Sequence, residues 1–303
     1  MITALGISVI DHIMVIDGFN HDDGSFFCEH YTVEGGGMAA TALCAASKLG
    51  ARTRLLTRIG DDINGQFIVD GLKRFGVDTS GVIYLKGKHS TVSFVLVDAR
   101  TGEKQFYSER IKSVYKDPIE LDTSLLDGTH ILLIDGHWID GALQAAQWAR
   151  ETGIPVVADF KQTYDGLEQL FPLIDYFIIP FFYASELTGE QTEERILRAL
   201  SRIQSGIPVV TMGSRGGVYL SANEIRNYKA FPIQCTDSTG AGDAFHGAFC
   251  YFLMRGLSID RCLELSSAVG TLNCRSIGGR AALPSREELN EFLKKNGSDP
   301  DIS

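Results

Sequence analysis

The chain has no Cys-x-x-Cys pair, only 8 Pro in 303 residues, and fewer basic than acidic side chains. Each shortage narrows the field. Six cysteines at 28, 44, 235, 250, 262 and 274, without paired spacing, argue against a zinc ribbon, a redox motif or a disulfide framework. They fit reduced thiols in a cytoplasmic protein. With 28 Lys+Arg against 38 Asp+Glu the net charge is −10, which disfavours a protein that binds the phosphate backbone of nucleic acid. No apolar run approaches the roughly 18 residues of a membrane helix. The nearest, IDYFIIPFFYA, is broken by Pro180, so no membrane partner is expected. The opening MITALGISVIDHIMVIDGF carries Asp11 and Asp17 and no basic leader, and reads as buried strand rather than signal peptide. There is no GxGxxG after the first strand, no GxxxxGK[ST] and no protein-kinase catalytic loop, which disfavours the familiar nucleotide folds.

What is present is a globular composition, 44% apolar and 22% charged, with 32 Gly for tight connections. Short β-branched and aromatic runs alternate with segments of helical period, the pattern of an α/β fold around a mainly parallel sheet. Strands are predicted at Ala4–Ile10, Arg54–Ile59, His130–Ile134, Val156–Phe160, Tyr176–Ile179, Pro208–Met212 and Gly217–Leu220. Helices are predicted at Met38–Leu49, Gln66–Phe75, Gly141–Glu151, Thr192–Gln204, Ala241–Arg255, Ile259–Cys274 and Arg286–Lys294. Two stretches break the rhythm, alternating apolar and polar residues with no long helix between. They divide the chain into a main α/β domain (1–11, 35–88 and 114–303) and a small β-sheet (12–34 and 89–113). That sheet is either a lid over a site on the main domain or ordinary edge strands.

The most informative segment is TDSTGAGDAFHGAFCYF, Thr236–Phe252, where a Gly-Ala-Gly turn runs into an apolar helix. First-turn amides without partners and the helix dipole make such a turn an anion site. Asp243 stands in that turn, and either caps the helix or accepts the proton of a nucleophile. A second glycine run, Gly35-Gly36-Gly37-Met38-Ala39-Ala40-Thr41, also enters a helix. It serves either close helix packing or a polar ligand whose hydroxyls meet main-chain groups and Thr41.

Together the two segments resemble the signatures of the ribokinase family, the pfkB carbohydrate kinases. Asp237-Ser238-Thr239-Gly240-Ala241-Gly242-Asp243 is close to the family's D-T-x-G-A-G-D. Arg58-Ile59-Gly60-Asp61-Asp62 with Gly65, Leu187-Thr188-Gly189, Thr211–Gly217 and Gly278–Pro284 follow in the family's order, so the likeness runs from about Ala4 to Leu293. It implies a ribokinase-like α/β domain under a β-sheet lid, with sugar between them and ATP in a groove of the main domain. Asp243 would be the general base, and the backbone of Gly240, Ala241, Gly242 and Asp243 the anion hole, with Mg²⁺ offsetting phosphate charge. Asp11, Gly36, Gly37 and Thr41 match sugar-contacting positions. Thr211, Gly213 and Gly216 match the nucleotide loop, and the helix Ile259–Cys274 should wall the adenine. Asp237 and Thr239 match positions that help hold a monovalent cation, K⁺, in several relatives. Lys161 follows a strand and is a candidate for the ATP phosphates.

Departures from the family pattern bear on the substrate. The first signature usually ends in Asn where this chain has Thr41, and the Asn-x-x-Glu motif that organises Mg²⁺ falls on Pro180-Phe181-Phe182-Tyr183, leaving Glu186 as the nearest substitute. The GGG-x-A-A-T form, His246, Trp138–Gly141 and Gly278-Gly279-Arg280 look most like the sulfofructose kinase and ketohexokinase side of the family. Ser25, Ser108 and His137 stand where sulfofructose kinases hold a sulfonate, which speaks against that substrate. Arg110 and Lys112 could meet an anionic group on a sugar. The leading expectation is a kinase for a primary hydroxyl of a ketose or related sugar. A nucleoside kinase, with Phe26, Phe27 or Tyr107 stacking on the base, and a sugar-binding regulator without turnover are the rivals. A homodimer through the lid is also expected, since exposed strand edges need cover.

Overall fold

The computed structural model describes residues 1–19, 27–101, 103–108, 114 and 120–300. Among these, thirteen strands form two sheets. The large sheet contains β1 (Ile2–Leu5), β4 (Thr53–Gly60), β5 (Val82–Leu85), β8 (Ile131–Ile134), β9 (Val156–Asp159), β10 (Tyr176–Pro180), β11 (Ile207–Thr211), β12 (Gly217–Ser221) and β13 (Glu224–Tyr228). Its spatial order is β13-β12-β11-β10-β9-β8-β1-β4-β5, all parallel except β12, which runs antiparallel to both its neighbours. β1, β8 and β9 are buried along their whole length, as strands covered on both faces must be.

Helices cover the two faces. One layer holds α1 (Met38–Lys48) and α2 (Ile63–Arg74); the other holds α3 (Ile139–Thr152), α4 (Phe181–Thr188) and α5 (Glu193–Ile203). α6 (Ala241–Met254), α7 (Ile259–Asn273) and α8 (Arg286–Lys295) join the first layer. Local signals explain the starts: the Asp62 carboxylate accepts from the Gly65 amide at 2.8 Å, and Ser285 with Glu288 forms a capping box on α8. Asp62 also accepts from the amide and hydroxyl of Ser90, so one motif residue ties α2 to the segment that leaves for the second sheet.

The second sheet contains β2 (Val9–Ile16), β3 (Cys28–Gly36), β6 (Val92–Asp98) and β7 (Lys104–Ser108), in the order β3-β2-β6-β7. Ile13, Val15, Val95 and Val97 form its buried face, with Ile277 packed against them. His12, Met14, Phe94 and Leu96 alternate with them and look outward, the period of two expected of a half-covered sheet, while Asp11 and Ser93 continue the buried face.

Three expectations are corrected. The predicted strand Ala4–Ile10 is two strands, because the chain leaves the large sheet after Leu5 and enters the second at Val9. The second sheet therefore takes in Asp11, Gly35 and Gly36, which the sequence pattern places in the main domain. α4 was not foreseen: its first residues are Phe-Phe-Tyr after Pro180, and an apolar run this short reads equally well as strand.

Candidate active site

In open parallel sheets the crevice outside the carboxyl ends of the strands, where the order reverses, is the natural place for a ligand. Here the reversal lies between β1 and β8. Asp135, the residue after β8, spans it: its Oδ2 accepts from the amides of Ile7 at 2.7 Å and Ala39 at 3.2 Å. Its Oδ1 accepts from the His137 amide at 3.1 Å and stands 3.1 Å from His137 Nδ1. Burial alone would raise this carboxyl, but His137 and these amides hold it below its ordinary value. Asp135 thus fixes the turn after β1 to the start of α1.

Asp243 opens α6 at the same end of the sheet. Gly240 is the N-cap residue, with φ 71°, and a Cβ there would lie 2.5 Å from the carbonyl oxygen of Gly279. Only glycine fits both the angle and the gap. The turn corrects one expectation, since the Ala241 amide donates to Ser238 O at 3.2 Å. The amides free to face an anion are those of Gly240, Gly242 and Asp243, and Gly242 is open to solvent. Asn273, fully buried on α7, holds the turn from behind by donating to the carbonyls of Thr239 and Gly279 at 3.1 and 3.0 Å.

Lys161 lies against this turn: its Nζ stands 2.6 Å from Asp243 Oδ1. Burial would lower the ammonium's pKa, but Asp243 and Asp159 outweigh it and raise it, so Lys161 is charged. Asp159 lies beneath, buried, with His246 Nδ1 3.3 Å from its Oδ2; burial raises this carboxyl while His246 and Lys161 oppose the rise. His246 is itself buried, its ring nitrogens 2.7 Å from Gly242 O and 3.1 Å from Ile178 O. It packs under the turn rather than facing the crevice.

Asp11 enters from β2. Burial pushes its carboxyl up to about 7; Arg280 opposes this, and Asp243 and Glu34 add to it. Asp243 is therefore near enough to disfavour charge on Asp11. Gly36 and Gly37 do lie here, but protein fills the space they leave: a Cβ on Gly36 would lie 1.8 Å from Asp11 Oδ2, and one on Gly37 2.4 Å from Ile7 O. Thr41 is buried and its hydroxyl accepts from Arg280 Nε at 3.1 Å, while Arg280 Nη2 donates to Gly36 O at 2.7 Å. Arg280 therefore lies against the first signature, between Thr41 and the Gly36 backbone.

Thr211 ends β11, and Met212 N donates to Gly216 O at 2.7 Å, closing a turn around an exposed Gly213. Glu186 is exposed on α4. Tyr183, at the glutamate position of the altered motif, is buried with its hydroxyl 3.3 Å from that of Thr163. No cluster of three or more His, Cys, Asp or Glu able to hold a metal occurs among the described residues, so they form no ready-made cage for Mg²⁺. Magnesium that arrives on phosphate oxygens needs no such cage. Asp237 and Thr239 are both buried, with Lys104 of β7 against them: its Nζ is 2.7 Å from Asp237 Oδ1. Arg110, Lys112, Ser25 and Phe26 lie outside the described residues.

The pattern described as pfkB family carbohydrate kinase matches residues 1–286. The chain is 25% identical over 300 residues to the ribokinase of Haemophilus influenzae, covering 97% of this chain and 98% of that one. It is 23% identical over 305 residues to the nucleoside kinase of Methanothermobacter thermautotrophicus, covering 99% and 97%. In structure it resembles Arabidopsis thaliana ribokinase complexed with ribose and ATP, with a TM-score of 0.84, 22% identity, and 97% and 98% of the two chains covered. The fold is ribokinase-like, and the class is that of phosphotransferases acting on a hydroxyl group. The chain belongs to the pfkB family of carbohydrate kinases, as a sugar or nucleoside kinase. No helix among the described residues is long and apolar enough to cross a membrane.

Proposed function

We propose that this protein transfers the γ-phosphoryl group of ATP to a primary hydroxyl of a sugar, a ketose or a related one, in the cytoplasm. The observation that carries this reading is Asp243 at the N-terminus of α6, beside three free amides and bonded to Lys161. Asp243 takes the proton of the acceptor hydroxyl as the oxygen attacks, and the amides of Gly240, Gly242 and Asp243 stabilise charge on the transferring group. Lys161 bridges the base and the γ-phosphate. Thr211, Gly213 and Gly216 bound the nucleotide groove with α7. When bound, Mg²⁺ neutralises charge on the nucleotide phosphates. Asp11 accepts from two neighbouring sugar hydroxyls, as a carboxylate can, and Arg280 fixes the backbone that faces them. The second sheet is the lid.

Release of ADP from Mg-ATP against a panel of ketohexoses, pentoses, sugar phosphates and nucleosides tests this reading. Sugar-dependent release supports it; release with nucleosides alone would move the assignment to the rival class. A regulator without turnover gives none with any acceptor.

Asp11 sets a pH dependence. Only its ionised form accepts two hydroxyl protons, and its carboxyl is pushed up to about 7, so the competent fraction falls as pH drops through that value. Between pH 8 and pH 6 the KM for sugar should rise about tenfold at saturating ATP, following that fraction. In Asp11→Asn the KM should be high and flat across the same range. A wild-type KM that does not change between these pH values would remove Asp11 from sugar binding.

The lid also supports a homodimer. Tyr31, Phe94 and Tyr107 are exposed on its outer face, where His12 stacks between Tyr31 and Phe94 at 6.1 and 5.1 Å. An apolar aromatic face of this kind is suited to a second copy of the chain. Sedimentation at micromolar concentration should give twice the monomer mass, and Phe94→Asp the monomer. A wild-type monomer under these conditions would refute the dimer.

A further inference from the structure

Lys104 is the first residue of β7 in the second sheet, yet its ammonium lies in the loop that precedes the catalytic turn, more than a hundred residues later in the chain. It is 2.7 Å from Asp237 Oδ1, 2.9 Å from Ser238 Oγ and 3.0 Å from Thr239 Oγ1, so three oxygen acceptors meet its three N–H donors. The side chain is only 11% exposed and the Asp237 side chain is fully buried. The remaining capacity of Asp237 is also taken: Oδ1 accepts from the amide and hydroxyl of Thr239 at 2.8 and 2.7 Å, and Oδ2 from the Gly278 amide at 2.8 Å. Thr239 adjoins the N-cap Gly240, and Ser238 O receives the Ala241 amide, so the same three residues shape the turn that carries Asp243.

We infer that Lys104 is a built-in cation for the Asp237–Thr239 loop, holding the catalytic turn in shape from the lid and filling the place a monovalent metal ion would need. A buried carboxylate requires a positive partner, and this one is supplied by the chain itself. A potassium ion in the same position would have to displace the ammonium, so the residues present do not fit an additional ion. Two consequences follow. The turn needs no potassium, and its shape depends on the second sheet staying where β7 can reach it. Lys104 acts through Asp237 and Thr239, and is a positioning residue.

The test compares wild type with Lys104→Met, a side chain of similar length without charge, in potassium, sodium and choline chloride at equal ionic strength. Two quantities are read: the melting temperature of the unliganded protein, and sugar-dependent ADP release. The first requires no turnover, so failure of the assigned reaction leaves this inference testable. Wild type should melt at the same temperature in all three salts. Lys104→Met should melt lower in choline and recover in potassium, as the ion enters the vacated space. Its turnover should be roughly 10–100-fold below wild type in choline and rise at least several-fold in potassium, the scale of a lost positioning contact. A melting temperature that rises in potassium over sodium and choline for wild type overturns the inference. So does a Lys104→Met variant with no potassium-specific response. Should that variant not fold, the wild-type comparison decides alone.

Discussion

Asp243→Asn is expected to lower turnover roughly 10²–10⁴-fold, with a change of no more than a few-fold in the KM for ATP. The amide keeps the size and position of the carboxylate and removes its ability to take a proton. Asp243 Oδ1 is bonded to Lys161 at 2.6 Å, and an asparagine oxygen can keep that contact. The free amides of the α6 turn are untouched, which confines the loss to proton transfer. Steady-state kinetics on variant and wild type, with melting curves to confirm an equal fold, provide the check. Turnover within a few-fold of wild type would show that another group accepts the proton.

Lys161→Met is expected to cost about 10²–10³-fold in kcat, the scale on which single charge-stabilising donors act, and to raise the KM for ATP less than it lowers kcat. Three buried acidic residues surround this ammonium: Asp243, Asp159 and Asp135 all contribute to its raised pKa. Removing the charge leaves those carboxylates unopposed just where a polyanion must approach, so both nucleotide binding and transfer suffer. Lys161→Arg should recover only part of the activity, because a planar guanidinium does not reproduce a compact ammonium. A kcat equal to wild type in Lys161→Met would confine this residue to a structural ion pair.

The two residues differ in how they could be read from the chain. Asp243 was legible because its chemistry is local: the Gly-Ala-Gly turn, the free amides and the carboxylate lie within four consecutive residues, and helix geometry alone brings them together. The helices that begin at Met38, Ala241, Ile259 and Arg286 were readable for the same reason, from local period and caps. Lys161 was only a lysine after a strand. Its partner is 82 residues away, and no local pattern announces that the end of β9 lies under the start of α6.

Arg280 and Lys104 mark the limit. Arg280 reaches Thr41 and Gly36 across 239 and 244 residues, and only its place in Gly278-Gly279-Arg280 drew attention to it. Lys104 gave no signal at all, since its role arises from how the second sheet docks. The split of Ala4–Ile10 into β1 and β2 was hidden for a related reason. Both strands are apolar, and nothing in the alternation shows that Gly6–Ser8 carries the chain from one sheet to the other.

Transfer of a phosphoryl group to a sugar's primary hydroxyl is the central step proposed for this protein. The most direct measurement is the proton-coupled ³¹P spectrum of the product formed from Mg-ATP and the sugar that most stimulates ADP release, with Asp243→Asn beside wild type. The expected result is a new phosphomonoester signal split by two neighbouring methylene protons, with ADP formed in equal amount, both depressed in the variant. Inorganic phosphate as the only product, or an ester signal split by a single proton, would contradict it.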